Sequence, residues 1–134
     1  MGHPANPISC AAALANINFM EEENLPAQAT ETGNYAMTKL RALQKHHPLI
    51  GDVRGLGLMI GVELVKDEKL TPATTEAEAI RDALLRNGVL VGVGGIYGNV
   101  IRFQPPLIIT RKQIDQAIDA FAAALEEVTQ PAAV

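Results

Sequence analysis

The sequence predicts a two-layer α+β domain: a small, mainly antiparallel sheet with helices on one face, preceded by a long apolar helix. Three observations predict it. The segments run helix, helix, strand region, helix, strand, strand, helix, as read from apolar spacing and from turn residues. The chain has 134 residues, one domain's length, enough to bury roughly two-thirds of its unfolded surface. Its 48% hydrophobic and 19% charged content are globular values.

Asn6-Pro7 reads as an N-cap followed by the first helical residue, where Asn accepts orphan amides and Pro has no amide to lose. The helix from Ile8 to about Glu22 is apolar nearly all round, so it is expected to be buried on most faces, with Cys10 a small core residue and any uncovered remainder an interface. Asn24-Leu25-Pro26 restarts the chain into a second helix, about Ala27 to Lys45, with Ala36, Leu40 and Leu43 at helical spacing. His46-His47-Pro48 ends it, because the residue before a proline disfavours the α region. Val53 to Val65 is β-like and interrupted by Gly55, Gly57 and Gly61, which suggests a bulge or a close backbone approach. Arg54, beside those glycines, reads as a structural salt bridge.

Thr75 and Glu78 have the spacing of a capping box opening a short helix to about Arg86, and Asn87-Gly88 closes it. Val89 to Val93 reads as a strand. Gly92, Gly94, Gly95 and Gly98 then form a loop around Ile96 and Tyr97, which opens no helix and so fits no phosphate-binding pattern. In the last helix Thr110 pairs with Gln113 as a capping box, and Ile109 with Ile114 as a hydrophobic staple. Ile114, Ile118, Phe121, Leu125 and Val128 are its buried stripe, while Asp115 and Asp119 share its wet side. Gln130-Pro131 ends it, with residues 132–134 expected to fray.

A net charge of −4 without a Lys/Arg cluster argues against a nucleic-acid partner. No apolar run approaches the roughly 20 residues of a membrane span, and the start lacks a basic n-region before an apolar core, so no signal peptide is expected. One cysteine excludes an internal disulfide framework and fits a reducing compartment, so a cytoplasmic location is expected.

The most informative stretch runs from Gly98 to Thr110, where Arg102 sits between Ile101 and Phe103 in a strand that Pro105-Pro106 ends. Buried there, a guanidinium without an anion costs several kcal/mol or more. An ion pair with one of the chain's own acids is the ordinary answer. A ligand carboxylate is the other, because the planar fork of Arg matches it bidentately. No catalytic set accompanies this arginine. Ser9 is the sole serine and has no nearby base, His3 lies at a terminus, and Glu21-Glu22-Glu23 reads as a solvated helix end. The adjacent His46 and His47 lack spaced partner ligands, so neither catalytic nor metal residues are assigned.

Three ordered segments, Asn6 to Ala15 (NPISCAAALA), Asp52 to Leu64 (DVRGLGLMIGVEL) and Gly98 to Leu107 (GNVIRFQPPL), resemble the C-terminal third of class III, fold-type-I aminotransferases, which use pyridoxal phosphate. These include the 4-aminobutyrate, ornithine, acetylornithine and alanine–glyoxylate types. The resemblance spans essentially the whole chain. It implies one small C-terminal domain over 1–134, with 1–24 a linking or interface helix and 25–130 the α+β core, packed against a larger cofactor domain within an obligate homodimer. It implies transfer of an amino group from an amino acid or ω-amino acid to a 2-oxo acid, with Arg102 gripping the substrate carboxylate. Gly94, Gly95, Tyr97, Gly98 and Asn99 would form a loop near the active-site mouth, and Val53 to Gly57 would be structural.

The departures from the family pattern bear on the cofactor. Pyridoxal phosphate chemistry needs a Schiff-base lysine and an acid facing the ring nitrogen. Lys39, Lys45, Lys66, Lys69 and Lys112 read as exposed, and none stands in the family's lysine motif. No threonine precedes Thr30 to hold a phosphate, and Ala5 replaces the usual glycine. The sequence is therefore expected to begin just past the last cofactor contact and to be inactive alone. The alternative is a stand-alone α+β module that binds a carboxylate or a partner without catalysis.

Overall fold

The computed structural model describes residues 6–130; the expectations placed on His3, Ala5 and residues 131–134 lie outside them. Helix α1 spans Pro7–Glu22, and the Asn6 side chain accepts the Ile8 amide at 3.0 Å as its cap. None of its residues is buried. Ile8, Leu14, Ile17 and Phe19 stand exposed, Cys10 with them, and the helix touches only the one that follows it. This corrects the expectation of a buried helix with a core cysteine. The physical reason is that the core closes without α1: every member of the buried cluster lies at Ala29 or beyond. Asn24 turns the chain in the left-handed region at φ 49°, a conformation asparagine tolerates, and helix α2 then spans Leu25–Gln44.

Strands β1 (Ile50–Leu56), β2 (Met59–Leu64), β3 (Gly92–Gly94) and β4 (Val100–Phe103) form one sheet in the order β1-β2-β4-β3, each neighbouring pair antiparallel. The glycine-rich run read as one interrupted strand is a hairpin. Leu56 and Met59 close a two-residue turn in which Gly57 alone has positive φ, 55°, the sign pattern of a type II′ turn. The bulge lies earlier, where the register shifts between Ile50 and Asp52, so that Ile50 and Val53, three apart, both point inward.

Helix α3 spans Thr74–Arg86, and its cap is Ala73, without a side-chain bond. Thr75 therefore lies inside the first turn and its capping box with Glu78 does not form. The start is set from the core instead: Ala73 is fully buried, donates to the Leu64 carbonyl at 3.1 Å and accepts from Ala77 at 3.0 Å. At the other end Gly88 (φ 77°) donates to Leu85 and Val89 donates to Leu84, both halves of a Schellman motif. That motif uses the Val89 amide, and Pro105 offers none across the ladder, so β3 is shorter than the expected Val89 to Val93.

Helix α4 spans Arg111–Thr129 and carries the full Thr110–Gln113 capping box. Helices α2 and α3 lie on one face of the sheet, and α4 lies against both, reaching the strands through an edge-on contact of Phe121 with Phe103 at 5.4 Å. Ile60, Val62, Leu64 and Ile101 supply the sheet's side of the core, and Leu40, Ile80, Leu84, Phe121 and Leu125 the helices' side. Asp115 is half-exposed, at the edge of the wet side. It accepts from the Tyr35 hydroxyl at 2.7 Å and pairs with Lys39 at 2.6 Å, tying α4 to α2. These bonds hold the Asp115 carboxyl below its ordinary range, with Lys39 the larger cause, and raise the Lys39 ammonium.

Among the described glycines, the tightest fit joins α2 to the hairpin. A Cβ on Gly33 would stand 2.1 Å from the carbonyl oxygen of Gly57. Gly33→Ala is expected to cost about 3 kcal/mol or more, since backbone rather than a flexible side chain must give way; urea midpoints measure it. For Asp115 the lowered carboxyl means the unfolded chain takes up the proton first, so its contribution is complete above about pH 4 and lost as pH falls through the native value. Thermal melts against pH should show Asp115→Asn with a shallower acid limb than the parent chain.

Candidate functional site

Strand parity builds the site. In β4 Ile101 and Phe103 face the helices, so Arg102 faces the other side of the sheet, where none of the described helices lies. Arg102 is exposed, and among the described residues it makes neither an ion pair nor a hydrogen bond. This corrects the premise of a guanidinium buried between Ile101 and Phe103, and the internal ion pair that would have satisfied it.

Cross-strand partners place Arg54, Gly61, Arg102 and Gly92 in one row on that outer face. Arg54 forms the expected salt bridge: its Nη1 donates to Asp52 at 2.7 Å and to Glu63 at 2.6 Å, which raises its pKa further. The two arginines are thus electrostatically unlike. Arg54 is matched by two carboxylates, whereas Arg102 keeps its charge and its planar fork open to solvent. Leu56, Met59 and Leu90 are also exposed.

The loop from β3 to β4 carries the other residues singled out by sequence. Gly94 ends β3 and lies against the Arg102 side chain. Gly95 and Gly98 take positive φ, 84° and 64°, and the Gly98 amide bonds to the Gly95 carbonyl at 3.2 Å, so the loop is a tight turn with Ile96 and Tyr97 exposed on it. Asn99 is turned inward and is 2% exposed. Its Nδ2 donates to the Leu64 carbonyl at 2.8 Å, and its own carbonyl accepts from the Leu64 amide at 2.8 Å. Asn99 anchors the loop, and Gly94 with Arg102 is the pair the fold brings together. Thr74, which sequence reasoning passed over for Thr75, donates to the Tyr97 carbonyl at 2.6 Å and pins the loop to α3. Nothing in its local pattern signals this, because its partner is 23 residues away.

Among the described residues a catalytic set does not assemble elsewhere. Ser9 and Cys10 lie on the exposed α1. Among the described residues no three His, Cys, Asp or Glu come together as a metal site. Pyridoxal phosphate needs a lysine amine held in a dry pocket opposite an acid. Lys39 is instead half-buried in its pair with Asp115, Lys66 pairs with Glu76, and Lys45, Lys69 and Lys112 are exposed. The described residues do not fit that cofactor. No described helix is long and apolar enough to cross a membrane.

Comparison with known proteins places this geometry in context. Residues 2–125 match the family model for class-III aminotransferases. The chain is 48% identical over 116 residues to the mitochondrial alanine–glyoxylate aminotransferase 2 homolog 2 of Arabidopsis thaliana, a match covering 86% of the chain and 24% of that relative. It is 41% identical to a leucine/methionine racemase of Thermococcus litoralis, over 93% of the chain and 28% of the relative. Among solved structures it resembles an Arthrobacter phospholyase in complex with phosphoethanolamine, with TM-score 0.88 and 30% identity over 94% of this chain and 30% of that one. The chain thus spans about a quarter of the length of the curated relatives it matches.

Proposed function

The chain belongs to the class-III aminotransferase family, and on that premise we propose that it is the C-terminal small domain of a larger, pyridoxal-phosphate-dependent enzyme in which Arg102 grips the substrate carboxylate. The reaction proposed is transfer of an amino group from an amino acid or ω-amino acid to a 2-oxo acid. One observation carries the reading: on the outer face Arg102 is the cation left without an acid among the described residues, while Arg54, two strands away, is fully matched.

The chain's contribution is binding and orientation. Two parallel N–H···O bonds from one planar fork fix a carboxylate in angle as well as distance, and that alignment aids a reaction whose chemistry lies at the far end of the same molecule. The cofactor supplies the electron sink for amino-group chemistry. Because the described residues do not fit it, the reading assigns it to the rest of a longer polypeptide, and this chain alone does not catalyse. The same reading covers the bare apolar face of α1, with Ile8, Leu14, Ile17 and Phe19, by the larger domain and a homodimer partner. The negative net charge fits no nucleic-acid partner, and the single cysteine fits the cytoplasm.

A second reading is favoured by the racemase relative. A carboxylate grip serves inversion at the α-carbon of an amino acid as well as it serves transfer to an oxo acid.

In the longer polypeptide, Arg102→Lys is expected to raise KM for carboxylate-bearing substrates about 10- to 100-fold, the equivalent of the roughly 1.5–3 kcal/mol carried by a charge-assisted pair. The turnover of an amine lacking a carboxylate should stay unchanged. Steady-state kinetics with both substrate classes measure it, and chiral analysis without an oxo acid separates racemisation from transfer. Unchanged KM with a lowered melting temperature would make Arg102 a structural residue and overturn the reading.

A further inference from the structure

Gly92 and Gly94 are glycines that their own backbone does not require. Neither has the positive φ that Gly57, Gly88, Gly95 and Gly98 adopt. A strand glycine forfeits side-chain packing and leaves the unfolded chain more freedom to lose, so two of them in a three-residue edge strand call for a steric reason. The reason is visible in what fills the space of the missing side chains. A Cβ on Gly92 would lie 3.2 Å from Nη2 and 3.3 Å from Nε of Arg102; one on Gly94 would lie 3.0 Å from Nε and 3.3 Å from Cδ. At both positions the three nearest atoms all belong to Arg102. Other crowded glycines meet something different: Gly33 meets the backbone of Gly57, Gly55 the backbone of Met59 and Ile60, and Gly51 the Val65 side chain.

We infer that Gly92 and Gly94 are positioning residues for Arg102, kept bare so that its guanidinium lies across edge strand β3 with its fork presented to a planar carboxylate. The carboxylate part rests on the reading given above; the positioning part rests on the geometry alone. Arg102 faces Gly92 directly across the ladder and Gly94 diagonally. Without side chains there, the arginine bends over β3 instead of standing off the sheet, and its orientation is set by contact with the glycine backbone. A methyl group at either site removes that resting place. Because the group displaced is the far end of a flexible side chain, the fold tolerates the change while the fork loses its aim.

The test uses this chain with Gly92→Ala, Gly94→Ala and the double variant. In the parent chain, nuclear Overhauser contacts are expected from the Arg102 side-chain protons to the α-protons of Gly92 and Gly94. In the variants those contacts should disappear and the Arg102 Nε resonance should move, while the melting temperature stays level or rises and amide shifts stay confined to β3 and β4. An Arg102 signal unmoved in the double variant would overturn the inference. So would a lowered melting temperature with amide shifts spreading through β1 and β2, because the glycines would then serve the backbone. In the longer polypeptide the double variant should raise KM for carboxylate substrates about tenfold with kcat nearly preserved, and the effect should vanish in an Arg102→Lys background. If Arg102→Lys alone leaves KM unchanged, the carboxylate reading fails, and the resonance and melting data still decide the glycine assignment.

Discussion

The register of β4 against β2 is the constraint on which the rest depends. Val62 faces Ile101 and Ile60 faces Phe103, with Val62 and Ile101 fully buried at the centre of the sheet. Because side chains alternate at every residue, a slip of one position would drive Arg102 into the core and bring Ile101 out. The magnitudes are lopsided: an unpaired buried charge costs several kcal/mol, whereas a ladder hydrogen bond contributes about one. The two bonds between Asn99 and Leu64 hold this register at the entry to β4, and Pro105-Pro106 ends the strand soon after Phe103. Arg102 points outward because its neighbours must point inward.

The domain is finished on one side only. Helices α2, α3 and α4 close the inner face of the sheet around Phe121, Leu40 and Leu84, while the outer face keeps Leu56 and Met59 in water beside the arginine row. Helix α1 repeats the asymmetry, being apolar in sequence and bare in structure. A membership in which this chain matches about a quarter of each relative's length accords with surfaces of this kind. The outer face combines a matched arginine, an unmatched one and three strand glycines, Gly61, Gly92 and Gly94, that keep the surface beside the guanidinium low.

Features that rest on local chemistry were legible in the sequence. Asn6 and Pro7 opened α1, Thr110 and Gln113 capped α4, Gly88 closed α3, and the stripe from Ile114 to Leu125 is buried. In each case the partners lie within a few residues, so spacing alone carries the information. Thr75 and Glu78 had equally good spacing and failed, because Ala73, gripped by Leu64 from across the fold, started the helix earlier. Gly57 was legible as a special backbone position but not as a hairpin turn, since a bulge and a turn use the same residue type. Asp115 looked solvated on its own helix and became a clasp only when α2 supplied Tyr35 and Lys39.

The same division runs through the site. Sequence alone determined that Arg102 was the residue to explain, that Arg54 would find an acid, and that the chain's ordered motifs resembled one family. Whether Arg102 was buried or open, paired or free, was decided by the tertiary structure, through the parity of β4 and the absence of any described helix from the outer face. So was the meaning of Gly92, read at the end of a strand, and of Gly94, read in the loop: both are strand glycines lying beneath a guanidinium. The physical reason is one of range. Caps and stripes are set by groups a turn apart, whereas the environment of a strand side chain is set by residues on other strands that spacing along one chain does not encode.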